Sequence, residues 1–153
     1  MTGYRFFLIR DLLILMVTLL LWVSQPAGDY AQIITGGLTG LCALLLHEHG
    51  HLLGAWRVRA TVHPAPRWSP FIFNLNPGEN TRAQLLSTSY WGFAATGVYL
   101  VLFLLVLPTH TLAGFVALCI GLLLASLTVV IEFPIAWRMA RGYALPDLSI
   151  VRK

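Results

Sequence analysis

Three histidines and a glutamate occur within five residues, in the order His47-Glu48-His49-Gly50-His51. On an α-helix, side chains four residues apart share one face, so the imidazoles of His47 and His51 are expected to point at one position. Imidazole nitrogens are good zinc ligands, and a catalytic zinc site keeps one position open for water. A glutamate beside the first histidine is placed to take a proton from that water. The spacing therefore predicts a zinc site with His47 and His51 as ligands and Glu48 as the catalytic general base.

The competing interpretation is structural, because a histidine on an apolar helix is more often a satisfied core residue than a ligand. Here the motif lies late in an apolar segment, Ala31 to Ala55. Ionisable side chains are costly inside a membrane and are retained mainly where they face a cavity or a partner. The position of the motif therefore favours the metal site. His49 falls on the opposite side of the helix and is expected not to be a ligand.

The composition is that of an integral membrane protein. The chain has 153 residues, of which 58% are hydrophobic and 10% charged, and its mean hydropathy is +0.76. A soluble domain of ordinary composition is less apolar than this. The basic residues stand at the ends of apolar segments and form no cluster on a soluble fold, so nucleic acid is not an expected partner. Cys42 and Cys119 both fall inside apolar segments, which is not the arrangement of a disulfide framework.

Four apolar segments are long enough to cross a bilayer, so we predict a single multi-pass membrane domain over residues 1–153. The first segment could instead be a signal peptide, since Arg5 precedes an apolar run and Ala27 follows it. Gln25 at the position three before a cleavage after Ala27 argues against that alternative. The predicted spans are residues 4–23, 31–55, 87–107 and 111–137.

The second span is expected to be central in the bundle, because Gly36 and Gly40 form a small-xxx-small pattern that permits close helix approach. A long polar connection with four prolines, residues 57–86, follows this span and cannot be continuous helix. Within it, residues 71–76 have extended character, with Phe71, Phe73 and Leu75 on one face. The fold class is thus an all-α membrane protein with some strand character between its second and third helices. Such a strand could pair with the backbone of an unwound substrate or simply cap the bundle.

Charge predicts the orientation in the membrane. In a four-helix topology all ten basic residues fall on one side, and the two opposite turns have none. The positive-inside rule then places both termini, the long connection and the nearby zinc motif on the cytoplasmic side. The ten basic residues are Arg5, Arg10, Arg57, Arg59, Arg67, Arg82, Arg138, Arg141, Arg152 and Lys153.

Two histidines do not complete a catalytic zinc site, and a third protein ligand is expected. Four carboxylate or imidazole side chains, predicted to lie on the same side of the membrane as the histidine motif, are candidates for this ligand. Glu132 stands near the end of the fourth span at a depth comparable to that of His51, and a carboxylate there requires an explanation. Composition and spacing leave the choice open between Asp147, Glu132, Glu79 and His63.

The histidine motif in a membrane helix, followed by a loop with strand character and a late Pro146-Asp147, resembles the site-2 protease family of intramembrane zinc metalloproteases. The resemblance covers residues 31–148 and implies that the last three spans form the three-helix core of a small, minimal member. It implies an endopeptidase that cuts a membrane-spanning or juxtamembrane substrate near the cytoplasmic face. It also implies that Asp147 is the third zinc ligand, because Leu145-Pro146-Asp147-Leu148 is similar to the family's Asn-Pro-Asp-Gly or Leu-Asp-Gly motif, with Leu148 in place of its glycine.

Two other functions are compatible with the same residues. The first is a non-catalytic membrane subunit of a larger complex, in which the motif is a structural or vestigial metal site. The second is a membrane di-iron hydroxylase or desaturase, which would need more histidines than the five present. His110, moreover, is predicted to lie on the side opposite the motif.

Overall fold

Four long helices and a small antiparallel sheet make up the part of the chain that the computed structural model describes, residues 2–25, 27–69 and 71–143. The all-α membrane fold with strand character between the second and third helices is confirmed. The elements in chain order are α1 (Thr2–Ser24), α2 (Asp29–Arg57), β1 (Val62–Pro64), β2 (Phe73–Leu75), a 3-10 turn (Pro77–Glu79), α3 (Arg82–Val106), α4 (Leu112–Leu127), a π-helical turn (Thr128–Glu132) and α5 (Phe133–Ala140).

Four helical segments are long and apolar enough to cross a membrane, and each contains one of the predicted spans or nearly all of it. The last of them runs without a break through α4, the π-helical turn and α5. Large apolar side chains along these helices face outwards, as expected where the surroundings are lipid. The segments are Tyr4–Ser24, Asp29–Arg57, Arg82–Val106 and Leu112–Ala140.

Helix α2 is the central helix, as its glycines predicted, and contacts α1, α3 and α4. Glycines of α2 permit these close helix contacts, because atoms of the neighbouring helices lie where the Cβ of a larger residue would be. A Cβ on Gly40 would lie 2.7 Å from Cβ of Ile120 in α4, and one on Gly50 would lie 2.7 Å from the carbonyl oxygen of Trp91 in α3. Small residues therefore bring the backbones of two neighbouring helices close to the part of α2 that carries the histidines.

Helix α3 begins five residues before the predicted span because a capping box stabilises its polar first turn. The Thr81 hydroxyl accepts a hydrogen bond from the Gln84 amide at 3.3 Å, and the Thr81 amide donates to the Gln84 side chain at 2.8 Å. The Gln84 side-chain amide also donates to the carbonyls of Val58 and Arg59, just after α2. The start of α3 is thereby fixed against the end of α2.

The connection between α2 and α3 folds back over the bundle. Strands β1 and β2 pair antiparallel, with Val62 opposite Leu75 and Pro64 opposite Phe73. Ile72 is 2% exposed and packs with residues of α1 and α2, whereas Phe71 is 52% exposed. The alternation in the sequence did not predict this, because Ile72 lies outside the short strand and fills the space between two helices.

The last span contains a π-helical turn immediately before a proline. The amide of Phe133 donates to the carbonyl of Thr128, five residues earlier. Pro134 has no amide hydrogen and cannot donate to the carbonyl four residues before it, so a wider turn here costs less than it would elsewhere. The turn ends at Glu132 and thus determines where that carboxylate is presented.

Candidate metal centre

The imidazoles of His47 and His51 lie one helical turn apart on the face of α2 that contacts α3. Their ring planes are nearly perpendicular, at 89°, and the ring centroids are 4.5 Å apart. The two Nε2 atoms approach to 2.9 Å. The sequence prediction that both rings point at one position is therefore confirmed by the geometry.

His47 is 5% exposed and is held by a hydroxyl of α3. Its Nδ1 lies 2.8 Å from Oγ1 of Thr96. The Thr96 hydroxyl donates its own hydrogen to the carbonyl of Gly92 at 3.2 Å, so its oxygen is the acceptor for the ring. This assigns the proton of neutral His47 to Nδ1 and leaves the lone pair on Nε2.

His51 is held in the same way by a backbone carbonyl of α3. Its Nδ1 lies 2.9 Å from the carbonyl oxygen of Thr88, which can only accept, so this nitrogen also carries the proton. Gly92 makes room for the ring, since a Cβ at that position would overlap the imidazole. Both histidines therefore present an Nε2 lone pair, each oriented by a partner on α3, which is how metal-binding histidines are usually held.

Glu132 brings a carboxylate to the same position from the opposite side. Its Oε1 is 3.1 Å from Nε2 of His47, and its Oε2 is 3.2 Å from Nε2 of His51. Among the described residues, His47, His51 and Glu132 form a group of three potential metal ligands whose donor atoms all lie within 4.8 Å of one another. The side chain of Glu132 is 35% exposed, against 6% for that of His47. The centre is thus closed on the α2 side and open beside the π-helical turn.

The donor set fits a zinc ion. A tetrahedral site with bonds of about 2.0 to 2.1 Å separates neighbouring ligand atoms by about 3.3 Å. The two Nε2 atoms are 2.9 Å apart, and the distances from Nε2 of His47 to Oε1 and from Nε2 of His51 to Oε2 of Glu132, 3.1 and 3.2 Å, are also close to that value. Oε2 of Glu132 is also buried, and it lies against Nε2 of His51 without receiving a hydrogen bond from the described residues. A cation at this position would be bound by that oxygen and by both imidazole lone pairs, and two histidines with a glutamate are a known catalytic zinc set.

Glu48, the predicted general base, is 7% exposed and lies beside the centre. It interacts electrostatically with His47, His51 and Glu132, and the backbone of Ile72 contributes a hydrogen bond to its carboxylate. The segment that leads into β2 therefore lies against the glutamate. The carboxylate is near the metal position without belonging to the ligand group.

The remaining third-ligand candidates do not join the centre in the described residues. His63 and Glu79 pair with each other in the connection, with Nε2 and Oε2 2.7 Å apart. Asp147, the ligand implied by the family resemblance, lies outside the described residues, so its role stays a prediction. His49 points towards α1, where its Nε2 lies 3.8 Å from Oδ2 of Asp11.

Sequence reasoning missed the partners that orient the histidines. Thr88, Gly92 and Thr96 are spaced by four residues and so form one face of α3. The Thr96 hydroxyl one turn from Gly92 in an apolar helix indicates a polar contact with a neighbouring helix, so this partner had a signal, whereas the backbone carbonyl of Thr88 had none. The hydrogen bond from Ile72 to Glu48 had no such signal, because it is made by the backbone of a loop.

Comparisons with protein-family models, with curated proteins and with solved structures find no match for this chain.

Proposed function

We propose that this protein is an intramembrane zinc metallopeptidase that hydrolyses a peptide bond of a membrane-spanning or juxtamembrane substrate. The observation that carries the proposal is the meeting of two imidazole lone pairs and the Glu132 carboxylate at one point, with the buried Glu48 beside it. The resemblance of the histidine motif to the site-2 protease family supports the same function. Glu132 replaces Asp147 as the proposed third ligand.

The proposed roles follow from the contacts. Zinc, when bound, would polarise the scissile carbonyl and lower the pKa of a water molecule. His47, His51 and Glu132 hold the ion, and Thr96 and the Thr88 carbonyl keep the two rings in the binding tautomer. Glu48 then accepts a proton from the attacking water and returns it to the departing amine.

The depth of the centre supports a substrate cut near one membrane face. His47 and His51 lie roughly 15 and 9 Å along the axis of α2 from its last residue, Arg57. In the predicted four-helix topology the basic residues fall on this side, which the positive-inside rule assigns to the cytoplasm. We therefore propose cleavage near the cytoplasmic face, with both termini on that side.

One observation favours a second candidate, a non-catalytic subunit with a structural metal. Glu48 is 7% exposed and interacts with the backbone of Ile72, so this segment restricts access of a substrate carbonyl to the carboxylate. In a structural site the same hydrogen bond would be permanent, and the segment would stay closed.

The test compares the parent with Glu48→Gln after reconstitution of each into liposomes with a panel of labelled single-span membrane proteins. Metallopeptidase function predicts cleavage products by mass spectrometry with the parent, none with Glu48→Gln, and equal zinc in both. Cleavage that persists with Glu48→Gln would contradict the assigned base. Absence of cleavage of the source organism's membrane proteins by the parent, with zinc bound and fold intact, would favour the structural candidate.

A further inference from the structure

A groove on the other side of α2 holds a second group of polar side chains, which the metal centre does not use. The groove has a volume of about 410 Å³ and lies between α1, α2 and α3. Most of its wall is apolar and faces the surroundings of the bundle, as shown by Leu12 at 59% and Leu102 at 48% exposure. Two polar side chains, Asp11 of α1 and His49 of α2, interrupt this apolar wall.

Asp11 is unusual because it is 7% exposed and one of its two carboxylate oxygens accepts no hydrogen bond from the described residues. Oδ1 accepts a hydrogen bond from Nε of Arg10 at 2.7 Å. Oδ2 is buried, and nothing in the described part of the chain donates a hydrogen bond to it. A buried carboxylate oxygen without a donor is costly, so a donor from outside the chain would stabilise it.

His49 supplies a second acceptor at the same place. Its Nδ1 lies 2.7 Å from the carbonyl oxygen of Leu45, so Nδ1 carries the proton and Nε2 of the neutral ring has a lone pair. Nε2 lies 3.8 Å from Oδ2 of Asp11, which is too far for a hydrogen bond between them. One hydroxyl or ammonium group placed between these atoms could donate to both.

The size of the groove indicates the kind of occupant. Its volume of about 410 Å³ is within the range of small-molecule sites. A single alkyl chain fits such a space, and the two acceptors require a donor at its head.

We propose that this groove binds a single-chain amphiphile whose headgroup donates a hydrogen bond, either a hydroxyl or an ammonium. The alkyl chain lies along Leu12, Leu15 and Leu102, and the donor lies between Oδ2 of Asp11 and Nε2 of His49. This site is separate from the metal centre and does not depend on the proposed peptidase function.

The test measures thermal unfolding of the zinc-loaded protein in detergent at increasing mole fractions of dodecanol, dodecylamine or dodecyl methyl ether. The ether has the same chain and keeps an oxygen acceptor but has no donor. The proposal predicts a rise in unfolding temperature with dodecanol or dodecylamine, and the comparison of these two tells which donor the site prefers. An equal rise with the ether, or no rise with any probe, would overturn it.

Two variants locate the effect. Asp11→Asn keeps an oxygen for Arg10 and places an amide donor where Oδ2 stands, so it should weaken binding of the donor probes by about tenfold or more. Leu102→Trp fills the groove without touching the polar pair and should abolish the response. Should Leu102→Trp respond as the parent does, the amphiphile binds elsewhere and the proposal fails.

Discussion

The Nε2 atoms of His47 and His51 lie 2.9 Å apart, while Nδ1 of each ring donates to α3. In the neutral rings so oriented, the two Nε2 lone pairs face each other and the Glu132 carboxylate. Such a contact is repulsive unless a cation, either a metal ion or a proton shared with Glu132, lies between these atoms. A bound metal should therefore contribute to the stability of the fold as well as to chemistry.

Removal of zinc is expected to lower the temperature of unfolding. A ligand that binds only the folded state stabilises it by about 4 kcal/mol at a thousandfold excess over its dissociation constant. The measurement is thermal unfolding in detergent before and after a strong chelator, followed by re-addition of zinc or of magnesium. Zinc should restore the parent, and magnesium should not. The His47→Ala variant serves as the control, and its unfolding temperature should not change with the chelator. An unchanged unfolding temperature of the parent would show that no metal stabilises the packing of these helices.

The third ligand is tested by a set of carboxylate variants. Glu132→Gln removes the charge that lies 3.1 Å from Nε2 of His47 and should lower the zinc content of the purified protein from about one ion per chain to a small fraction. Glu79→Gln is the matched control, because that carboxylate pairs with His63 in the connection, and it should retain zinc. Asp147→Asn tests the ligand implied by the family resemblance. Loss of zinc with Asp147→Asn but not with Glu132→Gln would reject the proposed ligand set.

Much of the fold could be predicted from the sequence because lipid imposes strong constraints. Apolar length determines the number of spans, and Gly36 and Gly40 identified α2 as the central helix. The helical spacing of His47 and His51 was enough to predict their convergence. These predictions all depend on local periodicity, which a single sequence displays directly.

The choice of third ligand depended on geometry that no local pattern contains. Glu132 reaches the histidines through the π-helical turn before Pro134, and a π-helical turn is not encoded by a regular spacing. The contact of Ile72 with Glu48 depends on the path of a loop across the bundle. Long-range placement of this kind follows from the packing of the whole chain, so sequence reasoning could name Glu132 only as one of several candidates.

The hydroxyl of Thr96 should matter for zinc affinity although it does not touch the metal position. Thr96→Val preserves shape but leaves the Nδ1 hydrogen of His47 without its acceptor, so the ring loses both its orientation and its fixed tautomer. Loss of such a partner typically weakens metal binding about 10 to 100-fold. Zinc affinity measured by competition with a chromophoric chelator checks this, and Thr96→Ser should restore it. If Thr96→Val binds zinc as tightly as the parent, the orienting role is wrong.

The space beside His51 can be tested with two glycines of the same helix. A methyl group at Gly92 would overlap the His51 imidazole, whereas a Cβ at Gly97 would meet no described atom within 4 Å apart from its chain neighbours and its own helix backbone. Gly92→Ala should therefore displace the ring, cost about 1 to 3 kcal/mol of stability and reduce zinc occupancy. Gly97→Ala should leave zinc unchanged and keep or slightly raise the stability, because alanine favours helix over glycine. Both are measured by zinc content and by thermal unfolding with and without zinc. If both variants kept full zinc occupancy and parental stability, the close packing of α3 against His51 would be contradicted, because only that packing distinguishes the two positions.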